Sequence, residues 1–254
     1  MILIPYLPHN GSYMIVSNYL ADEYIVQIAR FDPSKGIMDV VESYDKFYRR
    51  FTAALPDRKP PKLLICGHGS VDDPDGAVIY DSVLNYVEED LSDIADKICV
   101  VRLGPSDQVL NALLSKAKVA LQLSTREGFE VKVSEAIHKG TPVIATKAGG
   151  IPLQVADKKN GFLVEVGDTD AVAQHLFDLC TDEELYKRTK RFALENVCDE
   201  VSTVGNALNW LYLASKLSKK EEVKPNKQWI NDMARTEAGQ EYSDKESRLR
   251  RISL

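Results

Sequence analysis

Short apolar runs alternate with amphipathic stretches along most of the chain, and the alternation predicts strands and helices in turn. Tyr24–Ala29 is a short, β-branched run that suits a buried strand. Asp-Pro-Ser and Gly within Arg30–Gly36 mark a turn. Apolar residues at Ile37, Val40, Val41, Tyr44, Phe47, Tyr48 and Phe51 then recur at helical spacing on one broad face. The pattern repeats with strand Lys62–Gly67, polar loop His68–Gly76, a helix over about Ala77–Ile94, strand Ile98–Leu103, helix Gln108–Ser115 and strand Val119–Leu123. A glycine turn, a short helix and strand Thr141–Thr146 follow, then a helix start at Ile151 with Pro in its first turn, and a short strand within Asn160–Val164. From Asp168 to Leu217 the spacing is helical, with starts predicted at Asp168 and Thr181. Strands alternating with helices predict an α/β fold with a doubly wound parallel sheet.

The ends of the chain differ from this middle. Met1–Glu23 has no clear period and reads as an irregular leader, so that one domain is expected over 24–217. From Ser218 onward the chain is charged and Pro-broken, which predicts a solvated, flexible tail over 218–254 with Trp229 and Ile230 as an anchoring contact. The terminal Arg-Arg-Ile-Ser253 is a pattern that an acidic kinase groove can read, although an ordinary frayed, charged terminus is the plainer account.

Composition narrows the function classes. With 44% hydrophobic and 28% charged residues the chain can bury a sizeable core. Its net charge of −6 gives no basic field for nucleic acid or an anionic membrane. Pro5, Pro8 and Gly11 break the first apolar runs too early for a membrane span or a good signal peptide. Cys66, Cys99, Cys180 and Cys198 are scattered without CxxC spacing, which favours reduced thiols over a disulfide framework or zinc site. A soluble, cytoplasmic protein is expected. No Gly-x-Gly-x-x-Gly follows a strand, which disfavours a nicotinamide dehydrogenase, and no Walker sequence is present.

The chemistry concentrates in Ser124–Gly150, STREGFEVKVSEAIHKGTPVIATKAGG, which reads as strand, turn, helix and strand. In open parallel sheets ligands bind beyond the carboxyl ends of the strands, where Arg126–Phe129 should lie. Gly128 would let a ligand approach the backbone. Glu127 would sit on the loop and Glu135 about two helical turns further along. A lone pair of glutamates is ordinarily solvated surface. Here Gly-Phe follows the first glutamate, and Lys-Gly-x-Pro-Val-Ile-Ala and Gly-Gly follow the second. The whole string resembles the glucosyl-donor site of retaining glycosyltransferase family four.

That resemblance implies the C-terminal, donor-binding half of a two-domain GT-B fold. Glu127, Gly128 and Phe129 would hold the donor sugar, and Glu135 the ribose in enzymes that use nucleotide sugars. Ala-Arg-Phe-Asp-Pro-Ser-Lys-Gly36 looks like the family's phosphate-gripping segment, which gives Arg30 and Lys35 that role. In chemical terms, Arg offers a bidentate fork and Lys a movable point charge where negative charge develops on a leaving phosphate. Asp107 and Gly149–Gly150 are weaker candidates, and the glycine turn is as well explained by packing. His68, in Gly-His-Gly after a strand, reads either as a site residue or as a satisfied loop histidine.

Three segments narrow the match: Ile28–Gly36, Asp72–Gly76 leading into Ile79–Tyr80, and Leu121–Gly128. Together they look like the trehalose phosphorylases and trehalose synthases of this family, and Gln228–Arg235 is similar to the fungal branch. The resemblance implies reversible conversion of trehalose and phosphate to α-glucose 1-phosphate and glucose with retained configuration. Arg30, Lys35 and Glu127 would be the catalytic group, with no metal and no cofactor beyond phosphate or a sugar phosphate as substrate. With no obvious side-chain nucleophile, front-face attack fits better than two opposed carboxylates. A phosphorylase has no ribose for Glu135. Trehalose or glucose would be bound through an N-terminal domain, so this chain is expected to be a donor-site half with little activity alone. A homodimer is allowed. The alternatives are a nucleoside-diphosphate-glucose-dependent trehalose synthase or other glucosyltransferase, and a non-catalytic sugar-phosphate-binding module.

Overall fold

The computed structural model describes residues 21–67, 74–103, 106–224, 227–243, 246–249 and 251. The leader up to residue 20, most of the loop that holds His68, and Arg250 and Ser253 of the terminal motif lie outside these residues. Two compact units divide the chain, residues 1–194 and 195–254.

The first unit contains one six-stranded sheet in the order β3-β2-β1-β4-β5-β6. The strands are β1 (Tyr24–Ile28), β2 (Lys62–Gly67), β3 (Ile98–Arg102), β4 (Val119–Gln122), β5 (Val143–Thr146) and β6 (Gly161–Val164). Every pairing is parallel, with Ile25 opposite both Leu63 and Val119. Between them run α1 (Ile37–Ala54), α2 (Pro74–Glu89), α3 (Asp107–Lys116), α4 (Val131–His138) and α5 (Ile151–Gln154), followed by α6 (Thr169–Thr181) and α7 (Glu183–Glu195).

This is the doubly wound α/β fold expected from the alternation. Its strands are apolar on both sides because both faces are covered. Ile25, Leu63, Ile65, Val119, Leu121 and Ile144 point into a core with α1 and α6 residues such as Tyr44, Phe47, Phe51 and Leu176. Tyr24, Val26, Leu64, Ala120 and Val143 point the other way, to Leu113, Leu114, Val133, Ala136 and Ile137. The apolar face of α1 is the one its spacing predicts, with Ile37, Val40, Val41, Tyr44, Phe47 and Phe51 all buried. Cys66, Cys99 and Cys180 are free and buried, as expected of core thiols, whereas Cys198 is free but only half-buried.

Two helix limits differ from the pattern. The segment after β2 leaves the helix at Glu89, although Leu91 and Ile94 are still buried. Apolar spacing there reflects a turn packed on the core and not a continued helix. The helix expected from Thr181 begins at Glu183, because the Asp182 side chain accepts from Leu185 N at 2.9 Å while Thr181 bonds back to Phe177 O at 2.7 Å and closes α6.

The second unit begins before the tail that composition suggests. It contains α8 (Thr203–Ser218) and α9 (Ile230–Glu237), which pack on one another, with a bridge between Cys198 and Ser247. The helical pattern up to Leu217 thus spans two packing units, and part of the 218–254 stretch is helical. Arg251 closes this unit. It donates to Glu200 and Asp232, each at 2.9 Å, with its guanidinium 4.7 Å from the ring centre of Trp229. Among the described residues no helix is long and apolar enough to cross a membrane.

Candidate functional site

The strand order reverses direction between β1 and β4, so the loops leaving these neighbours diverge and open a crevice at their carboxyl ends. Both segments singled out in the sequence lie there. The loop after β1 carries Arg30 and Lys35, and the loop after β4 carries Glu127, Gly128 and Phe129.

The first loop is built by its own turn chemistry. The Asp32 carboxylate accepts from Ser34 N at 2.8 Å and Ser34 Oγ at 2.6 Å, which starts a 3-10 turn at Pro33. Gly36, with φ 59°, ends the turn and opens α1. A Cβ on Gly36 would stand 1.9 Å from the Leu123 carbonyl oxygen, so only glycine lets the two loops touch. Thr125 N donates to Ser34 O at 2.7 Å across the same seam.

Gln27, buried in β1, joins the loops from beneath. Its Nε2 donates to Lys35 O at 2.9 Å and its Oε1 accepts from Leu123 N at 3.1 Å. In the sequence Gln27 is one polar residue in an otherwise apolar strand run, with no local sign of its two partners. Replacing it with Met keeps the bulk but strips two buried backbone groups of their partner, at an expected cost of about 1–3 kcal/mol. Denaturant midpoints of Gln27→Met and wild type measure this loss.

Lys35 is the centre of the site. Its ammonium donates to Glu127 at 2.5 Å and to Glu130 at 2.8 Å, and the three side chains are only 10–14% exposed. Burial opposes the charge on Lys35, but the two carboxylates outweigh it and raise its pKa above the ordinary lysine value. Burial likewise works to raise the Glu130 carboxyl, yet the Lys35 ammonium outweighs it and holds that pKa below the ordinary value. Two carboxylates on one ammonium leave the cluster net negative. An ammonium has three donors, and these partners take two.

Glu130 was missed in the sequence, where the eight-residue spacing drew attention to Glu127 and Glu135. It caps α4 with φ 65°, its carboxylate accepting from Lys132 N at 3.3 Å. The signal that could have found it is a third carboxylate beside Gly-Phe, just ahead of a helical run. Glu135 lies on α4 and pairs with Lys132 at 2.7 Å as a half-exposed surface pair. Arg30 is exposed, its guanidinium 3.5 Å from Asp32. The structure therefore brings Lys35 and Glu127 together, while Arg30 and Glu135 each have a partner of their own. Asp107 is exposed in the first turn of α3.

The Glu127–Phe129 loop rests on the Gly149–Gly150 turn. Gly150 N donates to Gly128 O at 2.7 Å, and the Gln154 side chain donates to Phe129 O. Gly149 has φ 52°, and a Cβ there would be 1.6 Å from Glu127 O. Gly128 itself has nothing within 4 Å of an added Cβ, so its backbone faces open space. Among the described residues no group of three or more His, Cys, Asp and Glu side chains is placed to hold a metal ion.

Comparison with known proteins places this site in context. Residues 16–195 match the family model described as glycosyl transferases group 1. The chain is 55% identical over 241 residues to a trehalose phosphorylase of Pleurotus pulmonarius, covering 93% of this chain and 33% of that protein. It is 35% identical to a trehalose synthase of Pyrococcus horikoshii, over 68% of this chain and 39% of the other. The chain thus spans about a third of the length of such relatives. Among solved structures, a sucrose-phosphate synthase from Thermosynechococcus elongatus superposes with TM-score 0.66 at 24% identity, covering 85% of this chain and 50% of the other, and shares the fold. With the family model covering most of its length, the chain belongs to the glycosyl transferases group 1 family.

Proposed function

We propose that this chain binds the glucosyl and phosphate groups in retaining glucosyl transfer between trehalose and phosphate. The reaction converts trehalose and phosphate to α-glucose 1-phosphate and glucose, and back. The observation that carries the reading is the Lys35–Glu127 pair at the switch point of the sheet, on loops pinned to each other. The similarity to a trehalose phosphorylase supports the choice of reaction.

In this reading Glu127 accepts hydrogen bonds from glucosyl hydroxyls, and the backbone at Gly128 and Phe129 lies along the ring. Lys35 and Arg30 hold phosphate beneath the anomeric carbon. As the bond from that carbon to the glycosidic oxygen breaks, a phosphate oxygen forms the new bond on the same face, and its proton passes to the departing glucose oxygen. The cations stabilise the charge spread over phosphate and both oxygens. Lys35 also holds the Glu127 carboxylate in place, aimed to accept from a hydroxyl. No metal or further cofactor enters the scheme.

A second reading, transfer from a nucleotide-linked glucose, has the Pyrococcus horikoshii trehalose synthase in its favour. Isothermal titration separates the two. Wild type is expected to bind α-glucose 1-phosphate in preference to UDP-glucose, and both Glu127→Ala and Arg30→Ala to weaken it about tenfold or more, as loss of a charged hydrogen-bond partner predicts. Preference for UDP-glucose, or binding indifferent to both substitutions, would contradict the first reading.

A further inference from the structure

We infer that Glu130 is a specificity-determining residue: its carboxylate fills the place beside Lys35 where a second phosphate would sit, so the site takes a phosphate monoester and turns away a nucleoside-diphosphate sugar. The inference rests on the donor-site reading above and deepens it by naming the phosphate class.

A nucleotide-linked sugar carries two phosphates and needs a second anion position next to the first. At the switch point of a doubly wound sheet that position is the amide-lined start of the helix that follows the strand. Here the helix is α4, and its start is already occupied from within the chain. Glu130 is its N-cap, one carboxylate oxygen accepting from Lys132 N at 3.3 Å and the other from Lys35 Nζ at 2.8 Å. A second phosphate would have to displace this carboxylate or lie against it, like charge on like charge.

The backbone bears on the same point. Glu130, Lys158, Lys220 and Lys227 are the non-glycine residues with positive φ among the described residues. The three lysines are on exposed turns, whereas the Glu130 side chain is only 10% exposed and makes two specific contacts. A left-handed backbone at a buried, charged residue persists only where its surroundings hold it there. The remaining group suited to a nucleotide, Glu135 on the same helix, is paired with Lys132 at 2.7 Å. Lys132 thus engages Glu130 through its backbone and Glu135 through its side chain.

The test compares wild type with Glu130→Gln and Glu130→Gly by titration with α-glucose 1-phosphate and with UDP-glucose, each variant checked by thermal melting. Gln keeps the cap acceptor and the shape but removes the charge, whereas Gly relieves the left-handed backbone and empties the position. Both are expected to shift the affinity ratio toward UDP-glucose by about tenfold or more, as relief of a like-charge contact predicts. A cap or packing role alone would lower stability without moving that ratio. A ratio unchanged in both variants, with glucose 1-phosphate still dependent on Glu127, overturns the role of Glu130 and leaves the donor site standing. Binding of neither ligand by wild type overturns the donor site and this inference together.

Discussion

Lys35→Met loses about 3–5 kcal/mol of stability, the cost of removing one partner from a buried ion cluster and leaving carboxylates without a counter-charge. Met keeps an unbranched apolar chain out to the ε position, one heavy atom shorter than Lys, so most of the loss measures charge. The cluster makes the expectation specific: Glu127 and Glu130 meet on Lys35 at 2.5 and 2.8 Å, and without it they face one another. The pH dependence carries a signature. In wild type the Glu130 pKa is held below its ordinary 4.5, so its contribution is complete above pH 4.5 and is lost as pH falls through the lower, folded value. The Lys35 pKa is raised above 10.5, so its contribution is complete below pH 10.5 and is lost as pH rises through the folded value. The variant has no ammonium to hold the Glu130 carboxyl low, so it lacks this loss of stability in acid. The gap between the two proteins is therefore constant around neutrality and narrows below pH 4.5. Urea denaturation of both proteins at pH 7 and pH 4 reads it directly, and an equal gap at the two pH values would contradict the cluster.

Gly149→Ala is the second large effect. The backbone at φ 52° costs an L-residue about 1–2 kcal/mol, and overpacking adds about 1–3 kcal/mol, for an expected loss of about 2–5 kcal/mol. The clash is with backbone, 1.6 Å from the Glu127 carbonyl oxygen, so no side-chain rotation relieves it. Relief must come from moving the Glu127–Phe129 loop. The substitution is thus expected to weaken α-glucose 1-phosphate binding although the side chain added is far smaller than the ligand. Gly128→Ala is the control for stability alone, since no atom of the chain lies within 4 Å of its added Cβ. Melting temperatures of the two variants test the stability contrast, and titration of Gly149→Ala tests the displaced loop. Equal stability of Gly149→Ala and wild type would remove the support that the glycine turn gives to the site.

The strands were legible in the sequence because most of their residues are buried on both faces and so read as largely apolar runs. Helix α1 was legible because one broad face meets one core. The loop residues Arg30, Lys35 and Glu127 stood out through motif and position after a strand, which are local properties. Glu130 was not legible: its role depends on a left-handed backbone angle and on Lys35, 95 positions away. Gln27 was hidden for a similar reason, since its partners Lys35 and Leu123 converge only once β1 and β4 are paired. The division near Leu194 also escaped, because helical spacing records that a helix has an apolar face and not which unit covers it.

Under the proposed function, sugar and phosphate bind where the β1 and β4 loops meet. Amide chemical-shift mapping of this chain during addition of α-glucose 1-phosphate tests it most directly. The expected result is a set of shifts confined to the Arg30–Gly36 and Ser124–Glu130 loops and the Gly149–Gly150 turn beneath them, lost in Glu127→Ala. Shifts that bypass these loops, or that fall instead around the polar cavity lined by Arg235 and Arg248 in the second unit, would contradict it.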